Sequence, residues 1–419
     1  MLPSTRKAGG VAHALVDGLV RRGYRRAAPP ALTPSRRDGA LFITPSAPAW
    51  QKHLLSAVAR GGGGAVTLSW RFDTSRLDAV PAVEPPTAQR VVGAVHVGHR
   101  PLADSLHDLL GTLEDSGVSR LALTARTTSS PPAVDDAESL HGALAAVGIR
   151  ASAVTDATPR GTPRRMRPEL GPSFVLESPV GSACSAHCGP GCPCGRYLRL
   201  GYGQFLRPGP DPSGRRPTFE AVLLEYMIGC VSAGVRSPFD LPALRALPDG
   251  IRADFPELST RIRGAQAVEV IADHLCTVAL LLGVGVAPGP RGRSYVVRKL
   301  VRRAASEVVL AGARPEALVP VLRLADAVIR TPLGLAPLPA PLVESAGREI
   351  AAFKAGLTGS RRWFLRRATG TPTPEDLTRL IWRARRERGV PIGVLLAWCE
   401  EHALPVSLHR LAAHDPGQW

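Results

Sequence analysis

Residues 271–304 constrain this chain more than any other stretch, because they combine a long apolar helical pattern, a Pro/Gly turn and a second, basic helical pattern. On the second helix the apolar residues Val297, Leu300, Val301 and Ala304 fall on one side. The opposite side and the entry to the helix are basic, at Arg291, Arg293, Arg298, Lys299, Arg302 and Arg303. One face is therefore expected to pack, while the other is either a solvated surface or a binding site for anions.

Length and charge narrow the class of partner. The 419 residues are 44% hydrophobic, which is enough for two or three domains with a packed core. The formal net charge is +17, and a phosphate backbone gains from binding such a charge by releasing counterions, so nucleic acid is favoured over a membrane as the partner. The longest apolar run, residues 278–288, is too short to span a bilayer, and no charged-then-apolar leader opens the chain, so a cytoplasmic location is expected.

The densest chemistry lies in residues 184–194, where Cys184, Cys188, Cys192 and Cys194 stand close together. Four thiolates in a reducing compartment match the four ligands that zinc takes in a tetrahedral site. Their spacing differs from the usual pair of Cys-x2-Cys motifs, so a metal-free, cysteine-rich turn is the alternative. A catalytic cysteine is disfavoured because no base stands at a defined spacing. The sequence thus predicts either a structural zinc site or a cysteine-rich turn.

Hydrophobic periodicity divides the chain into a mixed part and a helical part. In the mixed part, helices are expected at residues 13–24, 102–113 and 139–147, and strands at residues 66–71, 89–98 and 120–127. From residue 259 onward the pattern is helical, over residues 259–284, 294–311, 315–330, 340–357, 373–388 and 391–403. Thr373 followed by Pro374 is typical of a helix start, with the threonine as the cap and proline in the first turn.

A family resemblance rests on the motifs within residues 271–304. These are IADH, then an apolar run ending in Gly-Val-x-Pro, then an Arg-Ser-Tyr-Val-x-Arg motif followed by Arg-Arg-Ala. In this order they resemble the segment by which alanyl-tRNA synthetases pass from the catalytic domain to the tRNA-recognition domain. The resemblance implies an α+β fold, with a class II antiparallel sheet and flanking helices in residues 1–250 and an all-helical domain in residues 251–419. It also implies tRNA as the partner of the basic helix.

In the N-terminal part the sequence resembles the family in the order of its motifs but lacks several of the residues that bind ATP and the adenylate in the family. Ser69-Trp70-Arg71 stands where the synthetases carry Ser-Gln-Arg at the start of their ATP-binding region, and the resemblance assigns Arg71 and Arg90 to ATP or the adenylate. The family's Gly-Gly-Lys-His-Asn loop is short here and lacks its lysine. The Phe-Glu pair of the next strand is also missing from residues 89–98. ATP binding is therefore expected to be weakened or lost.

The resemblance places the amino-acid pocket at Val175, Leu198, Arg199 and Gln204. Two of these positions, Leu198 and Arg199, hold a Trp-Asn pair in the family. Ala221 stands where the family motif Gly-Leu-Glu-Arg carries an arginine that lies against ATP. Because these departures all concern the activation of alanine by ATP, no catalytic residue is assigned.

In the helical part the departures concern base reading. Gly292 replaces an asparagine of the family motif Ser-Asn-Glu-Asn-Arg-Gly, and Gly393 replaces the aspartate of Gly-Phe-Pro-Val-Asp-Leu. Further arginines are available to phosphates, at Arg361, Arg362, Arg366, Arg367, Arg383, Arg385 and Arg386. We therefore expect tRNA binding that is electrostatic and weakly selective for the acceptor stem of tRNA-Ala. Charge reversal on the basic face of the 294–311 helix is expected to leave folding intact.

Three functions stay open at this point. The first is a divergent alanyl-tRNA-synthetase-like protein that binds tRNA or a tRNA-like ligand, with alanine activation lost or redirected. The second is an active ligase that forms the adenylate of a different amino acid for a specialised pathway. The third is a zinc-stabilised interaction subunit without RNA. ATP-dependent pyrophosphate exchange separates the first two, and copurifying RNA separates both from the third.

Overall fold

The structure is a computed structural model, and it divides the chain into two compact units. Among the residues that the structure describes, those up to residue 242 belong to one unit and those from residue 243 onward belong to the other. We call them the sheet unit and the helical unit. The structure describes residues 10–34, 41–42, 48–58, 62–73, 86–98, 100–126, 142, 145, 152–153, 170–206, 217–261, 263–370 and 373–414.

The sheet unit is built on eight strands in the order β1-β2-β3-β8-β7-β6-β4-β5. Their bounds are β1 Tyr24–Arg26, β2 Gly63–Phe72, β3 Ala88–Val97, β4 Ala122–Arg126, β5 Ser152–Ala153, β6 Leu170–Pro179, β7 Tyr197–Leu206 and β8 Pro217–Leu224. The two outermost pairs, β1 with β2 and β4 with β5, are parallel, and the remaining pairs are antiparallel. The predicted antiparallel sheet with flanking helices is confirmed, with short parallel strands added at both edges.

Helices cover one face of this sheet, which we call the core face. The helices of the unit are α1 Gly10–Arg21, α2 Pro48–Ser56, α3 Leu102–Asp115 and α4 Glu225–Ala233. Helices α1, α3 and α4 place Leu15, Leu106 and Ile228 in one apolar cluster with Val92 and Phe174 of the sheet, and all five are at most 1% exposed. Burial of these side chains is the main source of stability for the strands that the cluster covers.

The opposite face, which we call the polar face, is covered at one end by α2. Trp50 of this helix is fully buried and lies so close to Gly93 that a Cβ at that position would collide with its ring. Leu54, Ala65 and Val95 complete the small cluster around Trp50. The sequence analysis did not predict α2, because its nine residues are too few to show a clear helical period.

The helical unit follows the predicted series of helices closely. Its helices are α5 Ala246–Asp254, α6 Gly264–Gly283, α7 Gly292–Leu310, α8 Leu318–Arg330, α9 Ala340–Ala368, α10 Pro374–Arg388, α11 Ile392–Glu401 and α12 Leu408–His414. Helix α9 continues past the predicted end at residue 357, because buried Leu357, Trp363 and Phe364 carry its packing face through a Gly-containing stretch. At the start of α10 the hydroxyl of Thr373 accepts a hydrogen bond of 3.2 Å from the amide of Asp376, which confirms the predicted cap.

Helix α6 is the core helix of the helical unit. It is long and apolar enough to cross a membrane by length and composition, but 83% of its most apolar window is buried inside the structure. Other helices of the same unit therefore take the place of lipid around it. Asp273 and His274 lie within this helix, both almost fully buried, and the Nδ1 atom of His274 is 2.8 Å from an oxygen of Asp273.

Candidate functional site

The polar face of the sheet carries buried polar side chains whose hydrogen-bonding atoms have no partner among the described residues. Arg71 of β2 pairs with Gln89 of β3, and Ser69 pairs with Val91, so alternation along the strands puts Ser69, Arg71 and Gln89 on this face. Gln89 is fully buried, and the described residues offer no hydrogen-bond partner to either its amide oxygen or its amide nitrogen, nor to the hydroxyl of Ser69. Arg71 donates to Asp73 over 2.7 Å. Such buried groups are normally satisfied, so this patch can bind a polar ligand.

Arg90, the second residue assigned to ATP, is not brought together with Arg71. It pairs with Trp70 across the strands and therefore points to the core face. There its Nε atom donates to Glu225 of α4 over 2.5 Å, and an Nη atom donates to the other carboxylate oxygen. The side chains are only 8% and 4% exposed. The structure thus uses Arg90 as one half of a buried ion pair that ties β3 to α4.

Three of the four residues assigned to the amino-acid pocket share the polar face. Gln204 pairs with Ser173, and Arg199 pairs with Glu177, while Val175 lies between those two positions on β6. Leu198 faces the other way, because it is fully buried in the apolar cluster of the core face. The structure therefore separates Leu198 from Val175, Arg199 and Gln204.

Position 221 also lies on the core face. Ala221 pairs with Ala94 and Gly203 and is 1% exposed, whereas its neighbour Glu220 pairs with Gln204 and so lies on the polar face. An arginine at position 221 would project into the apolar layer of helices. The alanine at this position is therefore not in itself an argument about ATP binding.

Gln89 and Glu220 are polar-face residues that the sequence analysis did not single out. Both are buried polar side chains, with Gln89 at 0% and Glu220 at 1% exposure. In the sequence, the available signal was a glutamine at the start of a β-branched run. Strand pairing then places Gln89 opposite Arg71, on the same face of the sheet.

The cysteine cluster lies in the loop between β6 and β7. The Sγ atoms of Cys184, Cys188, Cys192 and Cys194 are all within 4.8 Å of one another, with 3.5 Å from Cys184 to Cys192 and 3.7 Å from Cys188 to Cys194. Zinc–sulfur bonds of about 2.3 Å place tetrahedral sulfur atoms about 3.8 Å apart, so the four side chains fit one zinc ion. They do not form disulfides, whose sulfur atoms are about 2.05 Å apart.

The backbone of this loop brings the thiols together. Three turns are closed by hydrogen bonds from the amides of Cys188, Cys192 and Gly195. At the base, Arg196 donates to the carbonyl of Gly181 over 3.0 Å. A backbone hydrogen bond from Cys184, with a further contribution from Arg196, lowers the pKa of Cys188, whereas hydrogen bonds with the other three thiols raise the pKa of Cys184. The four predicted ligands therefore lie close enough together to bind one metal ion.

The basic helix of the sequence analysis is α7, and its apolar side packs as predicted. Val297, Leu300, Val301 and Ala304 are all at most 1% exposed. The basic side, however, also makes ion pairs within the fold. Arg302 and Arg298 donate to the same oxygen of Glu349 on α9, over 2.5 Å and 3.2 Å. The expectation that reversing charge on this face leaves folding intact is therefore wrong for these two arginines.

The remaining residues assigned to tRNA lie just before α7 and along it. Arg291 is exposed and precedes the helix, while Arg293, Lys299 and Arg303 are half-buried. Gly292, at the position of a family base-reading asparagine, is exposed and has a positive φ of 57°. Gly393 on α11 is also exposed. Neither glycine offers a side chain to a base.

Comparison with known proteins agrees with the resemblance noted in the sequence. Residues 251–330 match the family model for class II (A) tRNA synthetases. The chain is 29% identical over 138 residues to the alanine–tRNA ligase of Alkaliphilus oremlandii and 32% identical over 156 residues to that of Desulforudis audaxviator. These matches cover 32% and 34% of this chain but only 16% of each relative. About a third of the chain is therefore similar to alanine–tRNA ligases, and residues 251–330 are similar to the class II (A) tRNA synthetases.

Proposed function

We propose that this protein binds tRNA or a tRNA-like RNA, and that it has lost or redirected the ATP-dependent activation of alanine. The observation that carries RNA binding is the similarity of the helical segment 251–330 to class II tRNA synthetases, whose relatives include alanine–tRNA ligases. The net charge of +17 supports a polyanionic partner, because binding to phosphates releases counterions. With thiols that are all unpaired, the protein suits the reducing cytoplasm.

The arrangement of the sheet unit supports the loss of alanine activation. Of the two arginines assigned to ATP, Arg90 is engaged by Glu225 on the core face, so only Arg71 of this pair lies on the polar face. The lysine-bearing loop of the family is missing from the sequence. Clamping of the phosphates by cations is a large part of what such a site contributes, so the missing cations raise the barrier by several kcal/mol, on the order of a thousandfold in rate.

Pyrophosphate exchange dependent on ATP tests this part of the proposal. We expect alanine to give no exchange above a reaction without amino acid, under conditions where an alanine–tRNA ligase gives a strong signal. Robust exchange with alanine would contradict the proposal and make the protein a working synthetase. The same assay should be run across all amino acids, since it also addresses the second candidate function.

That second candidate is a ligase for a different amino acid, and one observation favours it. Gln89 and Ser69 carry buried polar atoms without partners among the described residues, next to Arg71 on the polar face. A ligand with polar groups would satisfy them. If an amino acid other than alanine supports exchange, Gln89→Leu should abolish that exchange while retaining the fold, because leucine fills a similar volume without the amide. Arg90→Lys is not a suitable control, since it would disturb the ion pair with Glu225.

We further propose that the four clustered cysteines hold one zinc ion. Bound zinc would cross-link the β6–β7 loop, while Arg196 fixes the base of that loop on Gly181. Purified protein is expected to contain about one zinc per chain, and Cys188→Ser/Cys192→Ser should lower both the zinc content and the melting temperature. Cys399→Ala, which removes a buried thiol outside the cluster, should leave the zinc content unchanged. Metal-free wild-type protein of full stability would favour the cysteine-rich turn instead.

A further inference from the structure

We infer that the principal phosphate-binding surface of the helical unit is a group of arginines around Trp363, on helices α9 and α10, and that this surface binds an RNA backbone. We call it the Trp363 cluster: Arg367, Arg383 and Arg388 stack on the ring, and the exposed Arg362, Arg366 and Arg386 on the same two helices are its further basic members. The inference rests on the proposed RNA-binding function and moves its centre away from helix α7.

Aromatic stacking holds the centre of the cluster in place. Trp363 is 8% exposed, and the guanidinium carbons of Arg367 and Arg388 each lie 4.5 Å from the centroid of its indole ring. Arg383 is 5.8 Å from the same centroid. A cation over an aromatic face at this distance is attracted by the ring, so the arginines lose part of their freedom before any ligand arrives. Stacking leaves the N–H edges of a guanidinium available to a phosphate.

Charge in the cluster is not neutralised within the part of the chain that the structure describes. Five of its arginines are exposed and have no carboxylate partner among the described residues, namely Arg362, Arg366, Arg367, Arg386 and Arg388. The nearby Glu387 is engaged by Arg383, over 3.0 Å and 3.1 Å. This contrasts with Arg298 and Arg302 on α7, which share Glu349. Like charges held close together repel, and an anionic ligand relieves that repulsion.

Helix ends explain only part of this arrangement. Arg366 and Arg367 lie in the last turn of α9, and Arg388 lies in the last turn of α10, where the helix dipole favours cations. The dipole does not require arginines from two different helices to stack on one ring, nor does it account for Arg362 one turn earlier. A single small anion would engage one or two of these groups. Several exposed arginines on two helices, three of them ordered by stacking on Trp363, instead match the repeated phosphates of a nucleic-acid backbone.

Binding of a fluorescent tRNA transcript, measured by anisotropy at several salt concentrations, tests the inference. We expect Arg367→Glu/Arg388→Glu to weaken binding at least roughly tenfold and to lower the slope of log affinity against log salt by about two, since two phosphate contacts are removed. Trp363→Phe keeps an aromatic ring in the core but weakens stacking, so a loss of only a few-fold is expected. Both proteins should retain the wild-type melting temperature to within a few degrees.

The matched control is Arg245→Glu/Arg252→Glu, which makes the same change in net charge at the start of α5 and within it, where both arginines are exposed and lie near Asp249. This control should bind tRNA much more tightly than Arg367→Glu/Arg388→Glu. Equal losses in the two double variants, or wild-type binding by Arg367→Glu/Arg388→Glu, would overturn the inference while the proposed function stands. Failure of the wild-type protein to bind tRNA would overturn both. Competition by poly-glutamate as strong as that by tRNA would assign the cluster to an acidic protein and overturn its assignment to RNA.

Discussion

Arg302 and Arg367 are both arginines on helices of the helical unit, but the fold uses them in different ways. Arg302 is 24% exposed, binds Glu349 from 47 residues away and lies over the ring of Phe353. Arg367 is exposed, stacks on Trp363 and has no carboxylate partner among the described residues. A basic stretch in a sequence therefore says little about binding until its carboxylate partners are known. What distinguishes the two arginines is whether the fold already supplies a counter-charge.

Arg90 is more deeply buried than Arg302 and Arg367, and its replacement has the largest expected effect on stability. Its pair with Glu225 is almost fully buried, so Arg90→Ala leaves an uncompensated carboxylate and should lower the free energy of unfolding by about 3–5 kcal/mol. Chemical denaturation followed by circular dichroism would measure the loss. Arg90→Met/Glu225→Leu, which removes both charges and keeps the volume, should recover most of it. If Arg90→Ala kept the wild-type free energy of unfolding, the ion pair would not need Arg90, and this arginine would be available for ligand binding.

An intermediate effect is expected at Arg302. In Arg302→Glu two carboxylates face each other at Glu349, and because the pair is only partly buried the cost should be about 1–3 kcal/mol. Arg302→Glu/Glu349→Arg restores opposite charges and should regain much of the stability. The exposed pair of Arg361 and Glu401 is the matched comparison, since Arg361→Glu should cost less than about 1 kcal/mol. If both charge reversals lower the free energy of unfolding by the same amount, burial does not determine how much each ion pair contributes to stability.

The sequence predicted the architecture well because the relevant signals are local. Periodicity placed Val297, Leu300 and Val301 on the packing side of α7, and all three are buried. The start of α10 at Thr373 followed from the chemistry of its cap. The spacing of the cysteines indicated a cluster, although only the turns of the loop show that four sulfur atoms meet.

Contacts distant in sequence could not be predicted in the same way. Nothing near Arg90 indicates that Glu225 will meet it, 135 residues later, and nothing near Arg302 points to Glu349. The alignment suggested that position 221 faces the nucleotide, whereas strand pairing puts Ala221 on the core face. One-residue differences of this kind reverse the face of a side chain in a strand, so strand pairing is needed to assign such a site.

The central claim is that the protein retains electrostatic binding of tRNA without reading the acceptor stem that marks tRNA-Ala. It is tested most directly by the affinity of the wild-type protein for two tRNA transcripts that differ only in the third base pair of the acceptor stem, measured over a range of salt. Since Gly292 and Gly393 offer no side chain to a base, we predict equal affinities for the two transcripts, both falling steeply with salt. A strong preference for one transcript that persists at high salt, or no binding at low salt, would contradict the account.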